Sequence, residues 1–368
     1  MLIIHCADVH LDASYSSKAG LDKNLAKSRN TEILNTFCRM VDFADQNNVE
    51  AILICGDLFD VTKATTGTLN ELIGKIQSTP GITFFYLKGN HDAVNMFDGK
   101  RSVPANLVTF DDNWKSTPLG NRVVITGAEL TNDNAQKLPE TLKLDEEKIN
   151  IVMMHGDANA SVRECKGETI ALKRYRNKLI DYLALGHIHE PSHNEKLDDR
   201  GIYNYSGCLE GRGFDETGDH GFYLLDIDET TGKITPVFHD IAFRKTHVVN
   251  VDVTGSESMV EMQAKVDKKL ADSDIPSKDL IEVVLTGDVD PEIDINLEQV
   301  RLYLQPNYYF VKMKNSVKIL IDYKKFENDI SLKGEFIRMV KDDDTLSDDE
   351  KLEVIKRGLN ALAGREIY

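Results

Sequence analysis

Five short polar blocks, each at the end of a short apolar run, constrain this chain more than any other feature. Leu2 to Ala7 leads into Asp8-Val9-His10, Ala51 to Cys55 into Gly56-Asp57, and Thr83 to Leu87 into Gly89-Asn90-His91-Asp92. Ile149 to Met154 then leads into His155-Gly156, and Asp181 to Leu185 into Gly186-His187-Ile188-His189. Apolar runs of this length, bounded by Gly, Asp or His, read as buried strands, and Val123 to Thr126 reads as another. Between the first two runs, Ile33, Leu34, Phe37, Val41 and Phe43-Ala44 recur at helical spacing over Thr31 to Asn47, and a further helix fits Thr68 to Ile76. Strands alternating with helices predict an α/β arrangement, whose loops converge on one crevice at the carboxyl edge of the sheet.

The residue types in those loops are metal ligands. Asp8 and His10 are one residue apart, as are His187 and His189, and on an extended backbone such residues project the same way. The spacing therefore predicts that each pair grips one ion. Glycines beside Asp57, Asn90, His155 and His187 allow tight turns and close backbone approach. Oxygen and imidazole donors without cysteine suit Mn, Fe, Zn or Mg better than a structural zinc site. The five cysteines, Cys6, Cys38, Cys55, Cys165 and Cys208, are odd in number and lack CxxC spacing, so they read as reduced packing residues. Asp12, Asp60 and Asp92 each adjoin a block, and turn, cap and site roles stay open for them. His5, His193, His220, His239 and His247 fall outside the blocks and read as packed or solvent-facing.

In this order, D-x-H, G-D, G-N-H-D, H and G-H-x-H resemble the five blocks of the calcineurin-like metallophosphoesterase superfamily. The resemblance implies a β-sandwich flanked by helices within the α/β (α+β) class, holding two divalent ions. Manganese is the first choice, with Fe, Zn or Mg as alternatives. Position by position, it implies Asp8, His10 and His189 on one ion, Asn90, His155 and His187 on the other, and Asp57 bridging the pair. His91 is then a non-ligand acid for the leaving oxygen, oriented by Asp92 or a backbone carbonyl. Protein phosphatases carry an Arg-Gly pair after the second block, whereas this chain reads Gly56-Asp57-Leu58-Phe59-Asp60-Val61-Thr62. The opening His5 to Asp12, the Gly-Asp-Leu-Phe-Asp block, Gly-His-Ile-His-Glu and the later Tyr205 to Arg212 are similar instead to the SbcD and YhaO branch of DNA repair nucleases, over about residues 1 to 243.

That branch implies a DNA exonuclease working with a long coiled-coil ATPase of the SbcC type, with homodimerisation left open. Two other readings are a phosphodiesterase or phosphatase for a small nucleotide and a non-enzymatic, metal-stabilised adaptor. The residues beyond the catalytic region favour the nuclease, because a small substrate needs no such appendage. Intact Asn90 and His91 count against the adaptor.

A hairpin of Phe222 to Ile227 and Ile234 to Phe243, turning at Glu229 to Gly232, is expected to close the first domain, at residues 1–245. Strand His247 to Val253, helix Glu257 to Leu270, strand Leu280 to Leu285, helix Leu297 to Leu304 and strands at Tyr308 to Lys314 and Val317 to Tyr323 then predict a small α+β capping domain, 246–325. From about Ile330, two amphipathic helices flank Asp342-Asp343-Asp344, the second opening on a capping box at Ser347 to Glu350. Residues 326–368 are thus expected to form a helical partner-binding tail, offering Phe336, Ile337, Val340, Leu352, Val354, Ile355, Leu359 and Leu362 as apolar surface.

Charge limits how the chain could hold DNA. Lys plus Arg total 44 against 61 Asp plus Glu, a formal net charge of -17, which opposes non-specific adhesion to phosphates. Local basic residues must then suffice. Lys18, Lys23, Lys27 and Arg29 in the first loop, Lys100-Arg101 and Arg212 are candidates, with Lys18, Arg29 and Arg212 as the DNA-contacting set. No apolar run approaches the roughly 18 residues of a membrane helix, and the start lacks a basic region, so a soluble cytoplasmic protein without a membrane partner is expected.

Overall fold

The computed structural model describes residues 1–13, 21–60, 64–92, 97, 103–158, 168–290, 293–321 and 323–362, with the backbone alone at Lys325 and Asn360. It divides into two compact units, Met1–Lys245 and Thr246–Tyr368.

The first unit contains strands β1 (Leu2–Cys6), β2 (Ala51–Cys55), β3 (Thr83–Leu87), β4 (Leu107–Thr109), β5 (Lys115–Leu119), β6 (Val123–Gly127), β7 (Ile149–His155), β8 (Tyr182–Gly186), β9 (Glu195–Lys196), β10 (Ile202–Tyr205), β11 (Gly221–Ile227) and β12 (Ile234–Asp240). Its helices are α1 (Lys23–Gln46), α2 (Thr66–Gln77) and α3 (Leu138–Thr141). The strands form two six-stranded sheets, ordered β12-β11-β1-β2-β3-β4 and β5-β6-β7-β8-β10-β9. Within the first, β1 to β4 run parallel, with Ile4 opposite Ile52 and Ile52 opposite Phe84. Within the second, β6, β7, β8 and β10 run parallel.

Ile3, Leu53, Phe85 and Tyr223 of one sheet join Ile125, Ile151, Met153 and Tyr182 of the other in a single core. Their neighbours in sequence, such as Val152, Met154, Leu183 and Leu185, pack on the opposite side with Tyr175 and Ile180. Both faces of these parallel strands are therefore covered, which is why they read as unbroken apolar runs rather than alternating ones. Helix α1 lies against the first sheet through Phe43, whose ring centroid is 5.4 Å from that of Phe222. The result is an α/β sandwich flanked by helices.

Two expectations about elements need correction. Helix α1 begins at Lys23 rather than Thr31, because Asp22 caps it by accepting from the Asn24 and Leu25 N–H groups at 2.8 and 3.0 Å. Lys23, Lys27 and Arg29 consequently lie on a helix, not in a loop. The strand expected over Val317 to Tyr323 shrinks to a two-residue ladder at Lys318–Ile319, and Tyr323–Phe326 is helical.

The second unit runs β13 (Thr246–Asp252), α4 (Met259–Ala271), β14 (Leu280–Thr286), β15 (Asp288–Val289), α5 (Leu297–Leu304), β16 (Phe310–Asn315), β17 (Lys318–Ile319), α6 (Tyr323–Phe326), α7 (Leu332–Lys341) and α8 (Asp348–Leu362). Met262, Val266, Leu270, Val300 and Leu304 of α4 and α5 pack on Val249, Val251, Ile281, Val283 and Val311 of the parallel sheet β13-β14-β16. The last helices have a smaller core of their own, in which Ile337, Val340, Ile355 and Leu359 meet Ile321 and Phe326. Ser347 opens α8 as a capping box: its N–H donates to Glu350 Oε2 at 2.8 Å. Much of the apolar tail surface is thus buried within the chain, while Leu332, Met339 and Leu362 stay exposed. No helix among the described residues is long and apolar enough to cross a membrane.

Candidate metal centre

The carboxyl ends of β1, β2 and β3 in one sheet and of β7 and β8 in the other deliver all five polar blocks to one place. The backbone there is not extended. Asp8, His10, Asp57 and His187 have φ of 50, 52, 49 and 101°, a region that costs a non-glycine residue on the order of 1–3 kcal/mol. The surrounding loops hold them: Asp8 N–H donates to Gly56 O at 3.1 Å, and His10 N–H to Asp57 O at 2.9 Å. Gly89 is required by contact, since a Cβ there would fall 2.1 Å from Asp57 Oδ1. A Cβ at Gly56 would likewise fall 2.2 Å from His155 Nδ1.

The side chains of Asp8 and His10 turn to the same group of ligand atoms, whereas those of His187 and His189 turn to different ones. Asp8 Oδ1 lies 3.9 Å from His10 Nε2 and 3.7 Å from His189 Nε2, and the two Nε2 atoms face each other at 3.2 Å. His187 turns to the other side, where its Nδ1 lies 3.1 Å from Asn90 Oδ1, itself 2.9 Å from His155 Nε2. The reason is the left-handed turn at His187, whose N–H is held by both oxygens of Asp8 at 3.1 and 3.0 Å. Asp57 lies between the two groups, with Oδ2 3.8 Å from His10 Nε2 and 3.4 Å from His155 Nε2. The structure thus brings together Asp8, His10, Asp57, Asn90, His155, His187 and His189.

These groups converge lone pairs. His155 Nδ1 donates to the Cys55 carbonyl at 2.8 Å, and His189 Nδ1 to Glu216 Oε1 at 2.7 Å. With Nδ1 engaged in this way, Nε2 is the ring atom that each imidazole has left to face the carboxylate and amide oxygens of the cluster. Such a set of oxygen and imidazole donors suits a cation at its centre. Among the described residues, the ligand atoms of Asp8, His10 and His189, and those of Asp8, Asp57 and His155, lie within 4.8 Å of one another. Hard oxygens and imidazoles on both sides fit divalent ions of the Mn, Fe, Zn or Mg kind.

Burial is the largest influence on Asp8, Asp57, His155, His10 and His187 alike, and the neighbouring charges decide where it is overcome. Burial pushes Asp8 up to about 6, with His155 and His189 pulling the other way. Burial works to raise Asp57 too, but its hydrogen bond to His155 and the neighbouring imidazoles hold it below the usual carboxylate range. His155 would be lowered by burial, yet Asp57 and Asp8 drive it up to about 9. Burial lowers His10 to about 4, and it lowers His187 too.

His91 borders this cluster, half-exposed, with its ring centroid 5.1 Å from that of His10. Its orienting partner is not the expected Asp92 or a carbonyl but Asp60, whose Oδ1 lies 2.6 Å from His91 Nδ1 and raises the imidazole pKa. Asp92 is buried and accepts from the Leu58, Phe59 and Gly89 N–H groups at 3.2, 2.8 and 3.0 Å, so it ties two loops together. Asp12 accepts from the Thr65 N–H at 2.7 Å, at the start of α2.

The basic residues assigned to DNA fare differently. Arg29 is 1% exposed and pairs with Glu210 at 3.2 Å and with the Gly211 carbonyl at 2.9 Å, as well as with Glu32. Arg212 is 3% exposed and pairs with Asp60 at 3.1 Å and Glu216 at 3.2 Å. Buried guanidinium groups held by carboxylates do not present themselves to a phosphate backbone, so the surface role expected for both is corrected. Lys18, Lys100, Arg101 and Cys165 lie outside the described residues. Glu216, which holds His189, escaped the sequence reading, because an acid six residues past Glu210 carries no spacing signal. His5 and His220 are buried packing residues, and Cys6, Cys38, Cys55 and Cys208 carry free thiols.

Residues 1–191 match the family model described as Calcineurin-like phosphoesterase. The chain is 26% identical over 285 residues to the uncharacterized metallophosphoesterase YhaO of Bacillus subtilis (strain 168), covering 71% of this chain and 65% of the relative. It is 24% identical over 294 residues to the DNA double-strand break repair protein Mre11 of Methanopyrus kandleri, covering 72% and 62%. It is 25% identical over 262 residues to the SbcD component of the SbcCD nuclease of Staphylococcus epidermidis, covering 62% and 66%. The matched stretch therefore spans less than two thirds of the first two relatives. With more than half of its length under that model and all five blocks meeting at one centre, the chain belongs to the calcineurin-like phosphoesterase family.

Proposed function

We propose that the chain is a two-metal DNA nuclease that hydrolyses phosphodiesters, as an exonuclease, in a DNA repair complex. The observation that carries the chemistry is Asp57 Oδ2, placed between the imidazoles of His10 and His155 at 3.8 and 3.4 Å. Asp8, His10 and His189 would hold one ion, Asn90, His155 and His187 the other, and Asp57 both. Manganese is the ion proposed first. A bound pair supplies an activated water and charge compensation at the phosphoryl oxygens. The residues of the chain do the rest. Glu216 and the Cys55 carbonyl fix the tautomers of His189 and His155, so that each directs Nε2 inward. Asp60 holds His91 by Nδ1 and favours its protonated form, which suits the imidazole to give a proton to the leaving oxygen.

DNA as substrate is supported by the similarity to Mre11 and to SbcD, and by a second folded unit that a small ester would not require. With Arg29 and Arg212 engaged internally and a net charge of -17, this chain is a weak DNA binder by itself. An ATPase of the SbcC type would supply phosphate contacts, docking on the exposed apolar residues Leu332, Met339 and Leu362 of α7 and α8. Assembly in the cytoplasm is part of this proposal.

The test is cleavage of end-labelled linear and circular single-stranded DNA with Mn2+, beside bis-p-nitrophenyl phosphate. Shortening of the linear strand from its ends is the expected result. Turnover of the small ester alone would assign the site to a small-nucleotide phosphodiesterase instead.

A further inference from the structure

Five side chains form an unbroken line around the centre. His91 Nδ1 meets Asp60 Oδ1 at 2.6 Å, Asp60 Oδ2 meets Arg212 Nη1 at 3.1 Å, Arg212 Nη2 meets Glu216 Oε1 at 3.2 Å, and that same oxygen meets His189 Nδ1 at 2.7 Å. One guanidinium thus holds the carboxylate behind the proposed acid and the carboxylate behind a proposed metal ligand. We infer that Arg212 is a positioning residue that keeps His91 and His189 in fixed register across the cleft, through Asp60 on one side and through Glu216 and its own Nη2, 3.2 Å from His189 Nδ1, on the other, without touching substrate.

The placement of these residues explains why one side chain is needed for both tasks. Asp60 follows β2 and His91 follows β3 in the first sheet, His189 follows β8 in the second, and Arg212 and Glu216 lie in the loop between β10 and β11. Arg212 therefore ties loops of both sheets together. It is well anchored itself: its backbone N–H donates to Glu216 Oε2 at 2.7 Å, so Glu216 is gripped by main chain and side chain of the same residue. Removing the guanidinium would leave two largely buried carboxylates without their shared partner, and such groups reorient. Lysine cannot replace it. A guanidinium offers a rigid planar fork that reaches two carboxylates at once, whereas an ammonium is a point charge on a flexible stem. Burial at 3% exposure separates this role from substrate contact.

The inference rests on the proposed roles of His91 and His189, and its test separates the two levels. Arg212→Ala and Arg212→Lys of the full chain are compared with the parent in kcat and KM on bis-p-nitrophenyl phosphate, and in Mn2+ affinity by calorimetry. The expected result for Arg212→Ala is a loss of about 10- to 100-fold in kcat and a comparable loss in Mn2+ affinity, with KM nearly unchanged. Millimolar guanidinium should restore part of the kcat of Arg212→Ala, and more than the lysine variant recovers. Parental kcat and Mn2+ affinity in Arg212→Ala overturn the inference, as does a rise in KM alone, which would make Arg212 a substrate contact. An inactive parent overturns the functional reading instead, and Mn2+ affinity then still decides on Arg212. If Arg212→Ala does not fold, Arg212→Lys carries the same readouts, with parental values again overturning the inference.

Discussion

Oδ1 of Asp60 lies 2.6 Å from Nδ1 of His91, so a carboxylate from the loop after β2 sets the orientation of an imidazole from the loop after β3. That contact leaves Nε2 as the ring atom for proton transfer. His91→Ala is expected to keep both ions yet lower kcat by roughly 10² to 10⁴, the range of general acid catalysis. Elemental analysis and steady-state kinetics check this together. A crystal structure with His91 on a metal ion would contradict the assigned role.

Gly89 tests the geometry around Asp57. An added Cβ would lie 2.1 Å from Asp57 Oδ1 and 2.6 Å from its backbone nitrogen, and main chain cannot yield that distance cheaply. Gly89→Ala should displace Asp57 and lose bound metal and activity, at a stability cost of about 1–3 kcal/mol. Two full equivalents of manganese at parental activity would show that the loop accommodates the methyl group.

His5 governs part of the acid stability. It is fully buried between Tyr182 Oη at 2.9 Å and the Leu185 carbonyl at 3.2 Å, and burial lowers its pKa to about 3, the Leu185 carbonyl partly offsetting this. The unfolded chain binds a proton on this residue below about 6.5, which the folded chain refuses until about 3. The sign is therefore loss of stability as pH falls through that window, by about 1.4 kcal/mol per pH unit from this one group. His5→Gln should flatten the dependence of urea-unfolding free energy on pH between those limits. An unchanged slope would mean that His5 is not the group taking up the proton.

The helical tail separates packing from assembly. Ile337 is fully buried among Ile321, Phe326, Val340, Ile355 and Leu359, so Ile337→Ala should cost about 2–5 kcal/mol of local stability, read by hydrogen exchange in α7 and α8. Deleting residues 330–368 should abolish association with the proposed ATPase. Metal-dependent hydrolysis of a small diester should persist, because every proposed ligand precedes Glu190. A truncated chain that loses its metals would tie the tail to the stability of the first unit.

The parallel strands β1, β2, β3, β7 and β8 and the order of the blocks were legible because strands covered on both faces leave an unbroken apolar run, as at Ala51–Cys55, ended by a ligand, whereas the parallel strands β4 and β10 lack such a run and were missed. The edge strand β5 was not legible either. Lys115–Leu119 is polar, carries Pro118 and is mostly exposed, and a strand paired on one side only need not show an apolar pattern. The start of α1 was missed because its first turns are solvated and only the Asp22 cap marks them. In the site, residue types were legible but orientations were not. The left-handed backbone at Asp8, His10 and His187 sends His187 and His189 to different sides, which spacing on an extended chain cannot foretell. The role of Asp60 depends on an approach of two loops 31 residues apart in sequence, from Asp60 to His91, and that of Glu216 on a contact with His189 27 residues away.

The most direct measurement is anomalous diffraction at the manganese edge from crystals of the full chain grown with Mn2+. Two peaks are predicted, one bounded by Asp8, His10 and His189 and the other by Asn90, His155 and His187, with Asp57 in contact with both. A single peak, or two peaks of which only one touches Asp57, would contradict the two-metal centre.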